Sequence, residues 1–553
     1  MPQRLLLAMV APAANMSYSP KRLIVCCDGT WMNSESAYVK PTLLKPKGSL
    51  QIPSNVTRIS RCFRRRCSDG RMQVIEYESG VGTGSNTLDT LTGGAFGLGL
   101  GERVRNIYSF LCANYCDGDE IILVGFSRGA YIVRSVAGMI SDLGLLTREG
   151  VEHFWPIFKD MENWNNHRYR DEFPTMPFDN KPKGEGAAEV YRARLEKLGM
   201  TRVKQNEGQG DIIKVKAVAV WDTVGSLGIP QIAWLNKLGI YASNREFRFW
   251  DTSLSDRVEH AFQALALDET RYSFQPAVWE RLKANRHTTD LRQVWFPGNH
   301  SNCGGGWNDQ GISNITLAWM MDQLASIGVE FNHLALERCV QQSNSFYRAQ
   351  IKDKSIKWAM DPVYGQNHPL RPWGLGSIQK TSNLLYTLAG KIIRSPGLYK
   401  QVNAHTDART ATFLTDTNER IHSSVRIRLA CKGLGLNDLG EWDNPAMKKN
   451  WRLVYSNAAY EDPVPHHPVW EPKSDQQECM KHPADADSDG RWVWEYCGPK
   501  ENAPTSPRGR TLVEEPLGPY ERHLLKLTGG DPNVYQYVAS KEGTKRALEA
   551  ESS

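Results

Sequence analysis

The chain has 553 residues, 40% hydrophobic and 10% aromatic, which is enough to bury a large core and excludes global disorder. A formal charge of +6 is small for this length, so nucleic acid is not an expected partner, and contact with an anionic membrane surface is left to local patches. Eleven cysteines, an odd number with no CxxC pair, fit free thiols in a reducing, cytoplasmic setting better than a secreted disulfide framework. The CxxxC spacing of Cys112 and Cys116 has no matching Cys or His pair at zinc-binding distance, so no metal is expected.

Residues 1–19 read as a tail. Their apolar stretch, 5–14, faintly resembles a signal peptide but is interrupted by Pro12 and preceded by one charge, Arg4. No apolar run approaches the ~20 residues that a membrane-spanning helix needs, and the chain is expected to be soluble. The first strand is Arg22–Cys27, with Leu23, Ile24 and Val25, running into Asp28-Gly29-Thr30-Trp31. Ser54 then caps a helix with Val56, Ile59, Cys62 and Phe63 on one face. Arg58, Arg61, Arg64, Arg65 and Arg66 lie on the other face, read as solvated. A second strand, 73–77, leads into the glycine-rich stretch 80–101 and a helix over 102–115. Gly97-Leu98-Gly99-Leu100-Gly101 lacks the Lys-Ser/Thr or full GxGxxG of a phosphate cradle and reads as a loop opening that helix.

The most informative segment runs from Asp119 to Ala130. An apolar run bounded by Asp and Gly reads as a strand buried on both faces, hence a parallel sheet, and a helix follows over 131–140. Residues 150–210 are aromatic and charged without a strand period and read as a helical insertion. Another buried strand, 212–220, ends at Trp221-Asp222-Thr223-Val224-Gly225. A short strand, 293–296, leads into Pro297-Gly298-Asn299-His300, and a helix follows over 312–327. Strands alternating with helices over 20–340 predict an α/β fold with a mostly parallel central sheet. Residues 341–539 form an irregular extension or lid region, and 540–553 a frayed tail. Within that extension, 378–400 carries Leu384, Leu385, Leu388, Ile392 and Ile393 beside Lys391 and Arg394. It reads as a packed helix, with a lid or interfacial helix as the alternative.

Gly125-Phe126-Ser127-Arg128-Gly129 matches G-x-S-x-G and sits between that strand and helix. Such a turn lifts the serine hydroxyl out of the sheet and aims the next amide, that of Arg128, at a developing oxyanion. Side chains at Gly125 or Gly129 would collide with backbone. A serine needs a base to take its proton and a carboxylate to orient that base. Asp222 and His300 both follow strand ends, where open parallel sheets place their sites, and both follow Ser127 in the order Ser, Asp, His. Asp268, Asp251 and Asp309 are rival acids. His260 lies in an apolar run read as helical (Ala261, Phe262, Ala264, Leu265) and is expected to be structural. Amides of Gly29 or Thr30 are candidates to complete the oxyanion hole. The alternative is a strand-end turn stabilised by the Asp28 side chain.

Five motifs in order carry a family resemblance: Cys27-Asp28-Gly29-Thr30-Trp31, Gly125-Phe126-Ser127-Arg128-Gly129-Ala130, Trp221-Asp222-Thr223-Val224-Gly225, Ala266-Leu267-Asp268-Glu269 and Trp295-Phe296-Pro297-Gly298-Asn299-His300. Over residues 20–330 the chain resembles the α/β-hydrolase family that includes the catalytic domains of type VI secretion phospholipase effectors, with many fungal members. The resemblance implies a Ser–Asp–His hydrolase of phospholipid esters that needs no cofactor. It places the nucleophile on Ser127, the base on His300 and the acid on Asp222, with Asp268 as the alternative acid. One departure is visible: after the histidine the family often reads Ser-Asp-Val-Gly-Gly, and this chain reads Ser301-Asn302-Cys303-Gly304-Gly305. A non-lipid esterase or thioesterase, and a silent binding protein of the same fold, remain as other readings. Oligomeric state is not legible.

Overall fold

In a computed structural model of the chain the described residues are 18–29, 38–39, 49–80, 93–166, 169–224, 253–332, 334–350, 371–379, 390–402, 409–456, 491–504 and 510–529. The first apolar run forms β1 (Arg22–Cys27), buried along its whole length. With it lie β2 (Gln73–Glu78), β3 (Glu120–Phe126), β4 (Val215–Trp221), β5 (Val258–Ala266) and β6 (Asp290–Phe296). The chain later adds β7 (Glu419–His422), β8 (Trp451–Ser456), β9 (Arg491–Tyr496) and β10 (Thr511–Glu515). All ten share one sheet in the order β8-β9-β10-β7-β6-β5-β4-β3-β1-β2. Every pairing from β2 across to β10 is parallel, and the last two, at β9 and β8, are antiparallel.

Successive residues along the strands serve opposite faces, as the pleat requires. Ile24, Cys26, Ile122 and Val124 join one core cluster with α1 (Asn55–Ser60), and Leu23, Val25, Ile121 and Leu123 join another with α2 (Gly93–Asn114) and α3 (Arg128–Leu143). After β6 come the one-and-a-half-turn helix α4 (His300–Gly304) and α5 (Gly311–Ser326), the latter buried on nearly all sides. A last helix relevant here, α6 (Ser423–Ala430), follows β7. The architecture is mixed α/β, with a large, mostly parallel central sheet flanked by helices. Among the described residues no helix is long and apolar enough to cross a membrane, and every cysteine is a free thiol.

Several expectations differ from what is observed. Residues 258–266, read as a helical run around His260, form β5; an apolar segment buried on both faces satisfies either period, and here it is enclosed between β4 and β6. Helix α2 reaches back to Gly93, so the glycines at 97–101 are helical rather than a loop. Gly101 has a packing reason, since a Cβ there would lie 3.0 Å from the Trp155 ring. On α1 the Ser54 cap forms, but Arg58 turns inward and donates to Asn55 Oδ1 and Asn314 Oδ1, leaving Arg61, Arg65 and Arg66 exposed. The 150–210 stretch contains helices Arg148–Glu152, Phe154–Glu162 and Ala187–Lys197. Beyond residue 340 the chain is not merely an appendage, because β7 and β10 extend the sheet in parallel. Residues 1–17 and 530–553 lie outside the described residues, as do Leu384, Leu385 and Leu388. Residues 390–399 form no helix.

Candidate active site

The site grows from four strand ends. From β1 the chain goes out to β2 on one side and returns to β3 on the other, so the strand order reverses between β1 and β3. Open parallel sheets open a crevice at that point, beyond the strands' C-terminal ends. Ser127 sits there, at the step from β3 to α3, with φ 57° and ψ −117°, a strained conformation for a side-chain-bearing residue. Its amide donates to Trp221 O at 3.2 Å. Both flanking glycines are required by backbone crowding. A Cβ at Gly125 would lie 2.7 Å from Ala130 Cα, and one at Gly129 only 2.1 Å from Cys27 O.

Asp222, just past β4, also has positive φ (42°), and its amide is tied to Ala264 O at 2.7 Å. This aims the carboxylate across the ends of β5 and β6. Its Oδ2 lies 2.6 Å from His300 Nδ1, and Oδ1 accepts from the Ala266 amide at 3.1 Å. His300 opens α4, whose cap is Asn299: the Asn299 side chain accepts from the Ser301 and Asn302 amides, and Asn302 Oδ1 accepts from the Asn299 amide. The imidazole packs between the Phe126 ring (centroids 4.7 Å) and the edge of Phe274 (4.9 Å). Its Nε2 is 2.8 Å from Ser127 Oγ. Ser127, Asp222 and His300 thus form one hydrogen-bonded row, with Ser127 7% exposed, His300 4% and Asp222 fully buried.

Burial alone would push the Asp222 carboxyl up, but the Arg394 guanidinium and His300 outweigh it and hold it well below the carboxylate range. Burial pulls His300 below its ordinary value, only partly offset by Asp222, so the ring is neutral at neutral pH. Arg394 spans both Asp222 oxygens through Nη1 and Nη2 and also donates to Ala266 O and Phe274 O, at 2.8 and 2.7 Å. Glu269 accepts from the His300 amide at 3.2 Å and pairs with Arg271; burial opposes its ionisation, but Arg271 holds it below the usual glutamate value.

The other candidates lie elsewhere. Asp268 accepts from the Gly298 amide, Trp442 Nε1 and Asn444 Nδ2 rather than from His300, and burial raises its pKa. Asp309 accepts from Tyr347 and the Gly311 and Ser377 amides, and His260 on β5 faces Asp290 at 3.3 Å. Asp251 and Thr30 lie outside the described residues. The Arg128 amide stands at the N-terminus of α3. Gly29 is close, since a Cβ there would be 3.4 Å from Ser127 Cβ, but its amide donates to Asp28 Oδ1 at 2.7 Å. That is the strand-end turn, the alternative reading of this loop, and it leaves the Gly29 amide already engaged. Asp28 Oδ2 accepts in turn from Ser54, Thr57 and Tyr77.

Asn302, where the family often has Asp, is explained locally. Its Nδ2 donates to Ser377 O at 2.8 Å, a bond a carboxylate cannot make, while its Oδ1 keeps the cap. Sequence reasoning passed over Glu269 as a partner of His300, although it stands in the Leu-Asp-Glu motif. It assigned Arg394 to an amphipathic segment, and no local signal marks its contact with Asp222.

A strained serine at the switch point of a parallel sheet, hydrogen-bonded through a histidine to a buried carboxylate, defines the class of site. Residues 21–323 match the family described as the type VI secretion system phospholipase effector Tle1-like catalytic domain, and the chain belongs to that family. It is 21% identical over 458 residues to the uncharacterized protein YEL023C of Saccharomyces cerevisiae, covering 58% of this chain and 59% of that one. The chain therefore spans about three fifths of the length of that relative. Among solved structures it is similar to the Tle1 effector bound to the VgrG spike of the type VI secretion system, at 18% identity, 52% of each chain and a TM-score of 0.28. A second, an uncharacterized protein from Pseudomonas aeruginosa, gives 15% identity over 61% of this chain and 51% of that one, with a TM-score of 0.31.

Proposed function

We propose that this chain is a serine hydrolase of the α/β-hydrolase type that cleaves carboxylic esters, acting on lipid acyl esters and on phospholipids in particular. The observation that carries the reading is the row Ser127 Oγ–His300 Nε2, 2.8 Å, and His300 Nδ1–Asp222 Oδ2, 2.6 Å, at the rim of the sheet. Family membership supports the lipid substrate. Ser127 Oγ attacks the ester carbonyl as its proton passes to His300 Nε2, and Asp222 holds the Nδ1–H and stabilises the imidazolium. The Arg128 amide at the start of α3 donates to the oxyanion. His300 returns the proton to the departing alcohol, and a water, deprotonated by His300, cleaves the acyl-serine and releases the carboxylic acid. Substrate is met at a membrane surface by transient contact.

A fluorophosphonate probe and vesicles of phosphatidylcholine or phosphatidylethanolamine test this directly. Label on the native protein, none on Ser127→Ala, and fatty acid released from vesicles are expected. Equal labelling of both, or none on the native protein, sinks the hydrolase reading. Cleavage of short-chain esters with vesicles left intact sinks the lipid half alone.

A further inference from the structure

We propose that Arg394 is a positioning residue for this site: by clamping both oxygens of Asp222 and the strand-end carbonyls around it, the guanidinium fixes the acid against His300 and balances its charge. The inference rests on the hydrolase reading and deepens it. Arg394 is 2% exposed, and its four hydrogen bonds all converge on the acid and its surroundings: two to Asp222, one to Ala266 O at the end of β5, and one to Phe274 O beside the His300 ring. The strap that carries it is itself pinned. Lys391 bridges Arg271, the Ile392 amide donates to Thr270 O at 2.9 Å, and the Tyr272 amide donates to Gly390 O at 3.2 Å. Arg394 lies outside residues 21–323, the span matching the family's catalytic domain, so the extension supplies part of the site's electrostatics.

A buried carboxylate without a cation beside it either takes up a proton or draws one onto its histidine. With Arg394 in place neither is needed, and the imidazole stays an unprotonated base. The charged and titratable groups around His300 and its acid are Asp222 from the end of β4 and Glu269 and Arg271 from the loop after β5, which act on His300, and Cys303 from α4 and Arg394 from the strap, which lie beside Asp222. Of these, Arg394 is the cation bonded to the acid itself.

The test measures the rate of fluorophosphonate labelling and the turnover of a short-chain ester between about pH 5 and 9. It uses the full chain as native protein, Arg394→Lys and Arg394→Met. Native labelling is expected to be half-maximal below 6.5, the ordinary histidine value. Arg394→Met raises that midpoint by about 1 pH unit and slows the plateau about 100-fold, whereas Arg394→Lys keeps the midpoint and loses only about tenfold. An unmoved midpoint in Arg394→Met, with whatever loss of rate, assigns the arginine a merely structural role and overturns the inference. Arg394→Gln, which keeps a donor there without the charge, serves the same purpose if the methionine variant does not fold: its midpoint is expected to rise likewise, and an unmoved one overturns the inference. Failure of the native protein to label fails the hydrolase reading itself, a result distinct from either of these.

Discussion

Among the described residues, two histidines stand between a serine and an acid. His300 links Ser127 to Asp222. His422 links Ser424 Oγ, 2.7 Å from Nδ1, to Glu521 Oε1, 2.7 Å from Nε2. In distance alone the second row is as well made as the first, but its surroundings are opposite. Ser424, His422 and Glu521 are all fully buried, and the His422 ring stacks on Phe296 at 4.5 Å. Its Nδ1 accepts from the Ser424 amide and so caps α6. Burial, reinforced by Glu515, pushes Glu521 well above the usual glutamate value, and burial takes His422 down to about 3, so burial disfavours charge at both ends of this row. Asp222 is equally buried, yet Arg394 keeps it a carboxylate. A reactive serine therefore needs more than a histidine in reach. It needs an opening, a donor for the oxyanion and an acid that stays ionised.

The sharpest way to break the comparison is to remove each serine. Ser127→Ala is expected to lower ester turnover by about 10⁶-fold. Ser424→Ala should leave turnover unchanged and cost about 1 kcal/mol of stability in urea unfolding. If the second substitution abolishes turnover in a folded protein, the roles of the rows are reversed.

Neutral isosteres of the acids come next. Asp222→Asn should cost about 10⁴-fold in turnover, because the amide cannot hold the same imidazole tautomer. Glu521→Gln should spare turnover and cost about 1–3 kcal/mol, since Glu521 Oε2 also accepts from the Gly518 amide. That penalty depends on pH. With its pKa raised on folding, native Glu521 holds its proton to higher pH than the unfolded chain, which loses it about the ordinary 4.5, so this residue's contribution to stability declines as pH rises toward the folded value. Glutamine has no such slope, so the gap in thermal midpoint between variant and native protein should narrow from about pH 5 to pH 8. A gap that widens contradicts a protonated Glu521. An effect on stability alone is also expected for Asn302→Asp, which introduces the family's common residue but loses the bond to Ser377 O. Stability should fall by about 1–3 kcal/mol, read from the urea midpoint, while the labelling of Ser127 persists.

Much of the candidate row is legible in the chain because its signals are local. Ser127, Asp222 and His300 each stand at the end of an apolar run, with glycines or a turn beside them, and parallel sheets put such ends on one rim. Gly125 and Gly129 are forced by contacts with Ala130 and Cys27, which the G-x-S-x-G spacing already encodes. The cation on Asp222 is not legible, since the 172 residues separating it from Arg394 leave no periodic trace. The strand nature of 258–266 is hidden for a different reason: residues buried on both faces erase the alternation that distinguishes a strand from a helix. The Gly29 amide shows a third limit: the chain places it near Ser127, but only the structure shows its hydrogen going to the Asp28 carboxylate.

The strand order has a consequence for how the molecule is made. From β3 outward to β7 each strand lies beside the one synthesised just before it. A chain leaving the ribosome can therefore lay down this half of the sheet in sequence, each new strand finding its neighbour already waiting. Ser127, Asp222 and His300 have all been synthesised once α4 has emerged, whereas the guanidinium on Asp222 arrives only with residue 394, so the charge balance of the row is completed late in synthesis.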